Sequence, residues 1–285
     1  WIAAAQQEAL NDVEQANLRE MSRLHHQASL LPESLVEAKS LAGSRCEHAW
    51  RSQRPANDWE GFSDNLKEVV KYSREEARLR AEAKGCSPYD ALLDIFEPGM
   101  TSAQLDVLFA DVKSWLPDLL NKVVAKQSQQ SLIAPVGPFP TAVQRELGLE
   151  TMAQLGFDFT AGRLDISAHP FCGGVPEDVR ITTRYDENEL LSALFGVIHE
   201  TGHARYEQNL PRSWSGQPIA LARSTAIHES QSLFFEMQLG RSKAFLMRLI
   251  PTVTRHFGDQ AAFEESNFIA WNQQVKPGFI RVDAD

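Results

Sequence analysis

A mainly α-helical chain with one small antiparallel β-sheet is the fold class that the sequence predicts, on three observations. Residues 1–155 are long stretches with few Gly or Pro and mixed charged faces, separated by short breaks. Between 157 and 185 the pattern changes to alternation of apolar and polar residues with β-branched side chains, the period of strands. After 186 the helical pattern resumes, opened by a capping signature and closed by Pro211.

Each element follows from local signals. Residues 1–26 read as helix, and Leu31-Pro32-Glu33 breaks it. Ser34 to Gln53 resumes the helix up to the Pro55, Asn57 and Asp58 break, and Glu60 to Ala83 is helical again. Lys84-Gly85-Cys86-Ser87-Pro88 is a turn. Thr101 and Gln104 have capping-box spacing and open a helix to about Lys126. Gly137-Pro138-Phe139-Pro140 breaks the chain before a helix from Thr141 to Leu155. Phe157 to Thr160, Arg163 to Ser167 and Val179 to Tyr185 are expected to give two or three short strands, with His169 to Asp178 a loop holding two Gly and two Pro. Asp186 and Glu189 form a second capping box, and a helix is expected from there to about Asn209. Another runs from about Pro218 to Leu239. Three regions result: 1–155 helical, 156–186 a small sheet and its loops, and 187–285 further helices, read as one continuous domain.

Composition narrows the function. Of 285 residues, 43% are hydrophobic and 23% charged, the balance of a globular protein. A net charge of −10 argues against nucleic acid or an anionic membrane as partner, because those are met by clustered Lys and Arg. Three widely spaced cysteines, Cys46, Cys86 and Cys172, make neither a disulfide framework nor a C-x-x-C metal site and fit a reducing, cytoplasmic setting. There is no apolar run of about 18 residues to span a membrane. No signal peptide is expected, since Trp1-Ile-Ala-Ala-Ala is followed at once by Gln6, Gln7 and Glu8. The first residue is Trp1 and the last are Val282-Asp-Ala-Asp285, so both ends are expected to be internal to a longer protein.

The chemistry lies in His199-Glu200-Thr201-Gly202-His203, an H-E-x-x-H motif on the helix that the second capping box opens. Residues four apart stack on one helix face, so His199 and His203 can offer two nitrogens to one ion. Glu200 lies about 100° round the helix, where it can miss the ion yet reach a water beside it. Leu190, Leu191, Leu194, Phe195, Val197 and Ile198 precede the motif and predict a buried helix. A third ligand is required. Glu207 is a poor choice, since ligands at i, i+4 and i+8 spread over about 12 Å. Glu229, on the next helix across the loop from Pro211 to Pro218, can be brought opposite the histidines; a solvated helix carboxylate is the plainer reading. His228 is expected behind the ligands or as a structural histidine. His169, before Pro170, is either functional or a turn residue.

Together, His199-Glu-Thr-Gly-His203, His228-Glu-Ser-Gln231, His169-Pro170-Phe171 (H-P-F) and Asp178-Val-Arg180-Ile-Thr182 (D-x-R-x-T) resemble the M32 metallocarboxypeptidases, the carboxypeptidase Taq type. The likeness extends upstream to Ser87-Pro-Tyr-Asp-Ala-Leu-Leu-Asp94. It implies a helical, zincin-like metallopeptidase with the small sheet beside the active-site helix. It implies His199, His203 and Glu229 as ligands of one zinc per chain, with cobalt accepted, and Glu200 as the catalytic carboxylate. It further implies cytoplasmic homodimers that remove C-terminal residues from peptides. Family motifs R-P-x-D and G-x-x-Q-D-x-H-W, which supply the carboxylate-binding arginine, do not occur in the chain.

The reading of the residues themselves leaves three functions. One is a metallocarboxypeptidase acting through a metal-activated water. The second is a zinc endo- or oligopeptidase with the same triad, lacking a receptor for the substrate's terminal carboxylate. The third is a helical scaffold, or a catalytically incomplete metal-binding fragment. Asp178 and Arg180 are candidates to orient a ligand or the substrate, Arg180, Arg184 and Arg223 are candidate receptors, and a peptide is expected to add as an extra strand along 178–185.

Overall fold

The computed structural model describes residues 1–167 and 169–276; Val282 to Asp285 and the end of the 187–285 region lie outside the described residues. The chain forms two compact units. One comprises residues 1–109 and 216–223, the other the described residues of 110–215 and 224–285.

The first unit is helical. A short α1 (Ile2–Ala5) precedes α2 (Asp12–Ser29), so the expected single helix over 1–26 is interrupted. Asn11 causes the restart: its side chain accepts from the Val13 and Glu14 amides, and Glu14 accepts from the Asn11 amide in return. α3 (Glu33–Gln53) and α4 (Trp59–Lys84) pack as a pair through Leu35, Ala42, Cys46, Ala77 and Ala81. Buried between them, Glu76 pairs with Lys39 and Arg80. α5 (Pro88–Phe96) follows the expected turn at Gly85, with Ser87 as its cap. α6 (Ser102–Gln127), whose residues from Ala110 on belong to the second unit, starts at the expected box, Thr101 and Gln104 capping each other's amides.

The second unit carries α7 (Thr141–Gln154), the sheet, α8 (Leu191–Gln208), α9 (Thr225–Leu233), α10 (Lys243–Phe257) and α11 (Glu265–Asn272). The sheet is mixed rather than antiparallel. β1 (Gly162–Ile166) lies parallel to β3 (Asp178–Thr183), and β2 (Phe171–Val175) pairs antiparallel on the other edge of β3. β2 turns back into β3 through Pro176-Glu177, so these two strands are antiparallel neighbours. β2 was expected to be loop; its two glycines hid it, and Gly174 is needed because a Cβ there would lie 2.1 Å from the Asp178 carbonyl oxygen. Phe157 to Thr160 is not a strand. Asp158 caps a 3₁₀ turn at Phe159–Ala161 instead. As the middle strand, β3 has no free edge, so a peptide cannot add to it; only the outer edges of β1 and β2 remain.

Candidate metal centre

α8 is buried on nearly every side, as its continuous apolar run demands. Leu194, Phe195 and Ile198 enter one cluster with Phe139, Leu147, Leu246, Leu249 and Phe268. Val197 and Ala204 enter another with Met152, Leu164, Val179 and Ile181. The helix begins at Leu191, later than the Asp186 box implies. Glu189 alone does the capping, accepting from the Leu191 and Ser192 amides, while Asp186 accepts from Asn188. Pinned between two cores, α8 presents His199 and His203 with ring centroids 5.0 Å apart.

α9 supplies the third group. It starts at Thr225, not Pro218, because Ser224 is its cap and Leu221 is extended. It lies against α8 at Gly202, where a Cβ would come within 2.6 Å of the Ser232 Cα. That approach brings the Glu229 carboxylate to 3.8 Å from His199 Nε2 and 3.3 Å from His203 Nε2. One ligand atom from each of the three residues lies within 4.8 Å of the others. Ligands about 2.1 Å from a tetrahedral ion are themselves about 3.4 Å apart. Two imidazole nitrogens and a carboxylate oxygen at these separations fit a divalent cation in size and in chemistry.

A further set of polar groups stands behind the histidines. His199 Nδ1 is 3.0 Å from Glu236 Oε2, and Glu236 also accepts from Arg241 at 3.3 Å. His203 Nδ1 is 2.6 Å from His228 Nδ1, and His228 Nε2 is 2.8 Å from Glu207 Oε1. Burial, with His228 and His199 alongside, pushes the His203 imidazole down to about 3, which keeps it neutral and able to coordinate at neutral pH. Burial opposes ionisation of Glu236, but the hydrogen bond from His199 and the Arg241 guanidinium outweigh it and hold the carboxyl below its ordinary range.

The family described as carboxypeptidase Taq (M32) metallopeptidase matches residues 1–285. The chain belongs to this M32 family. Thermostable carboxypeptidase 1 of Thermus thermophilus is 38% identical over 98% of this chain and 56% of its own length. Carboxypeptidase 1 of Bacillus subtilis is 37% identical over 90% of this chain and 51% of its own. Among solved structures, Trypanosoma cruzi metallocarboxypeptidase 1 superimposes with a TM-score of 0.88 at 50% identity, covering 97% of this chain and 56% of that one. The chain thus spans about half the length of the M32 relatives it matches.

The M32 chain's remaining candidates fall in different places. A cavity of about 400 Å³ opens beside the triad, lined by His199 and Glu229 and also by Glu200, Pro170, Thr183, Arg184, Phe195 and Arg241. H-P-F and D-x-R-x-T meet through Thr182, whose hydroxyl donates to the His169 carbonyl and accepts from the Phe171 amide. Pro170 reaches the cavity, whereas His169 is not among its lining residues. Asp178 and Arg180 grip each other at 2.7 Å on the exposed face of β3, away from that lining. Of the three candidate receptor arginines, only Arg184 lines the cavity; Arg223 pairs with Glu20 in the first unit. Glu236 and Arg241 are the residues that sequence reasoning missed. Glu236 lies in the π-helical segment Phe234–Gly240, whose register no local sequence signal announces.

Proposed function

We propose that the protein is a metal-dependent carboxypeptidase that releases C-terminal residues from peptides, with one zinc held by His199, His203 and Glu229. The observation that carries this reading is the convergence of those three groups, two of which, His199 and Glu229, line a cavity with Glu200. Names of the M32 relatives support carboxypeptidase over endopeptidase. When bound, zinc or cobalt supplies Lewis acidity to a substrate carbonyl and acidifies a water.

The chain's own residues do the rest. Glu200, 1% exposed and one residue along the helix from His199, takes a proton from the attacking water and passes it to the leaving amine. Thr183 and Arg184, at the end of β3, border the space where the substrate backbone would lie. Arg184 is the first arginine to test for contact with the terminal carboxylate, for which a bidentate guanidinium is suited. A cytoplasmic setting is inferred from the family likeness and from three free cysteines, and homodimers from the family likeness alone. Among the described residues no helix is long and apolar enough to cross a membrane.

Mass spectrometry of paired peptides, one free and one amidated at the C-terminus, tests the reading in the whole protein. Single residues should leave the free peptide successively while its amidated twin stays intact. Equal cleavage of both at internal bonds would favour the endopeptidase.

A further inference from the structure

For Nε2 of a histidine to face an ion, Nδ1 must carry the ring proton, so whatever Nδ1 meets selects the tautomer. At His199 the partner is the Glu236 carboxylate at 3.0 Å, which only accepts; Nδ1–H therefore donates and the Nε2 lone pair points toward Glu229. Glu236 is itself fixed. Arg241 holds it at 3.3 Å, donates to the Asn272 carbonyl at 2.8 Å, and lies 4.1 Å over the Phe195 ring.

At His203 the partner is another imidazole, and the outcome depends on what lies beyond it. His228 Nε2 is 2.8 Å from Glu207 Oε1, again an acceptor only, so Nε2 carries the His228 proton. With Nε2 of His203 given to an ion, one assignment remains: His203 Nδ1–H donates over 2.6 Å to His228 Nδ1. The rings are stacked 29° from parallel with centroids 4.6 Å apart, and Tyr206 packs edge-on against His228. Glu207 stands one turn beyond His203, yet it reaches α9 instead of the triad.

We propose that Glu236 and Glu207 are positioning residues of the metal centre, Glu236 acting directly on His199 and Glu207 acting through His228 on His203. The same two segments that supply the ligands supply these carboxylates: Glu207 follows the motif on α8, and Glu236 lies in the π-helical turn Phe234–Gly240 that continues α9. The inference rests on the triad being the metal site.

The test is metal affinity in the full chain, by competition with a chromogenic chelator for zinc, together with the visible absorption of the cobalt-loaded protein. Glu207→Ala, His228→Phe and Glu236→Ala should each weaken zinc binding 10- to 100-fold, the usual cost of losing an outer partner, and shift the cobalt bands. Glu207→Gln and Glu236→Gln keep an acceptor oxygen and should recover most of both changes, whereas Glu207→Met and Glu236→Met fill the same space without one and should not, a contrast that a merely space-filling role would not give. His203→Ala should abolish tight binding. If an alanine variant fails to fold by circular dichroism, Glu207→Asp, too short to reach His228, replaces it. Binding within twofold of wild type in Glu207→Ala and Glu236→Ala, or losses that the glutamine variants do not recover, would overturn the proposal. Wild type binding no more tightly than His203→Ala would instead sink the triad reading beneath it.

Discussion

Glu200 and His199 are neighbours in sequence with different work, and helix geometry explains the division. One residue of rotation turns Glu200 about 100° from the ligand face while leaving it in the same cavity. Glu200→Gln preserves shape and loses the ability to accept a proton. In the whole protein it should bind zinc as wild type does while kcat falls by at least ~10²-fold; steady-state kinetics beside metal analysis would check both, and near-normal kcat would demote Glu200 to a structural part. Which residues were legible follows from how local their relations are. His199, Glu200 and His203 declare themselves because i, i+4 spacing is a property of one helix. Glu229 had to be placed across a loop, on the expectation that two helices pack. The contacts of Glu207 with His228 and of Glu236 with His199 depend on which ring nitrogens meet, and no spacing encodes that. Asp178 and Arg180 show the converse: a motif that stands out in the sequence, but whose side chains satisfy each other on an exposed strand face.

The site exists because α8 and α9 touch at Gly202. Alanine there would gain about 0.8–1.0 kcal/mol of helix propensity if nothing opposed it. A Cβ 2.6 Å from Ser232 Cα and 2.8 Å from the Gln231 carbonyl oxygen meets backbone, which cannot step aside cheaply. Overpacking of this kind costs about 1–3 kcal/mol. Gly202→Ala should therefore be less stable in urea and bind zinc at least ~10-fold more weakly, since Glu229 moves away with α9; greater stability with unchanged affinity would show that the contact does not set the site. Helix starts were legible where a cap is unambiguous, as at Thr101 and Gln104. They slipped where two candidates compete: Glu189 caps α8 although Asp186 precedes it, and Ser224 caps α9 although Pro218 offers an earlier start. β2 escaped notice because Phe171-Cys-Gly-Gly-Val175 has the composition of a turn, and its pairing comes wholly from β3.

At the scale of the molecule, the second unit holds every group of the metal centre. The sheet and α8 share its apolar clusters, so the helix that carries His199, Glu200 and His203 is set in place by the core itself. The −10 charge and the acidic outer partners suit a centre that gathers a cation. Everything proposed about the reaction depends on three side chains from two helices closing on one ion. The most direct measurement is elemental analysis of the purified chain and of Glu229→Ala, both loaded with zinc and dialysed against metal-free buffer. Wild type is expected to retain close to one zinc per chain and Glu229→Ala to lose most of it while keeping its helical circular dichroism. A Glu229→Ala chain as fully loaded as wild type would contradict the triad and the mechanism built on it.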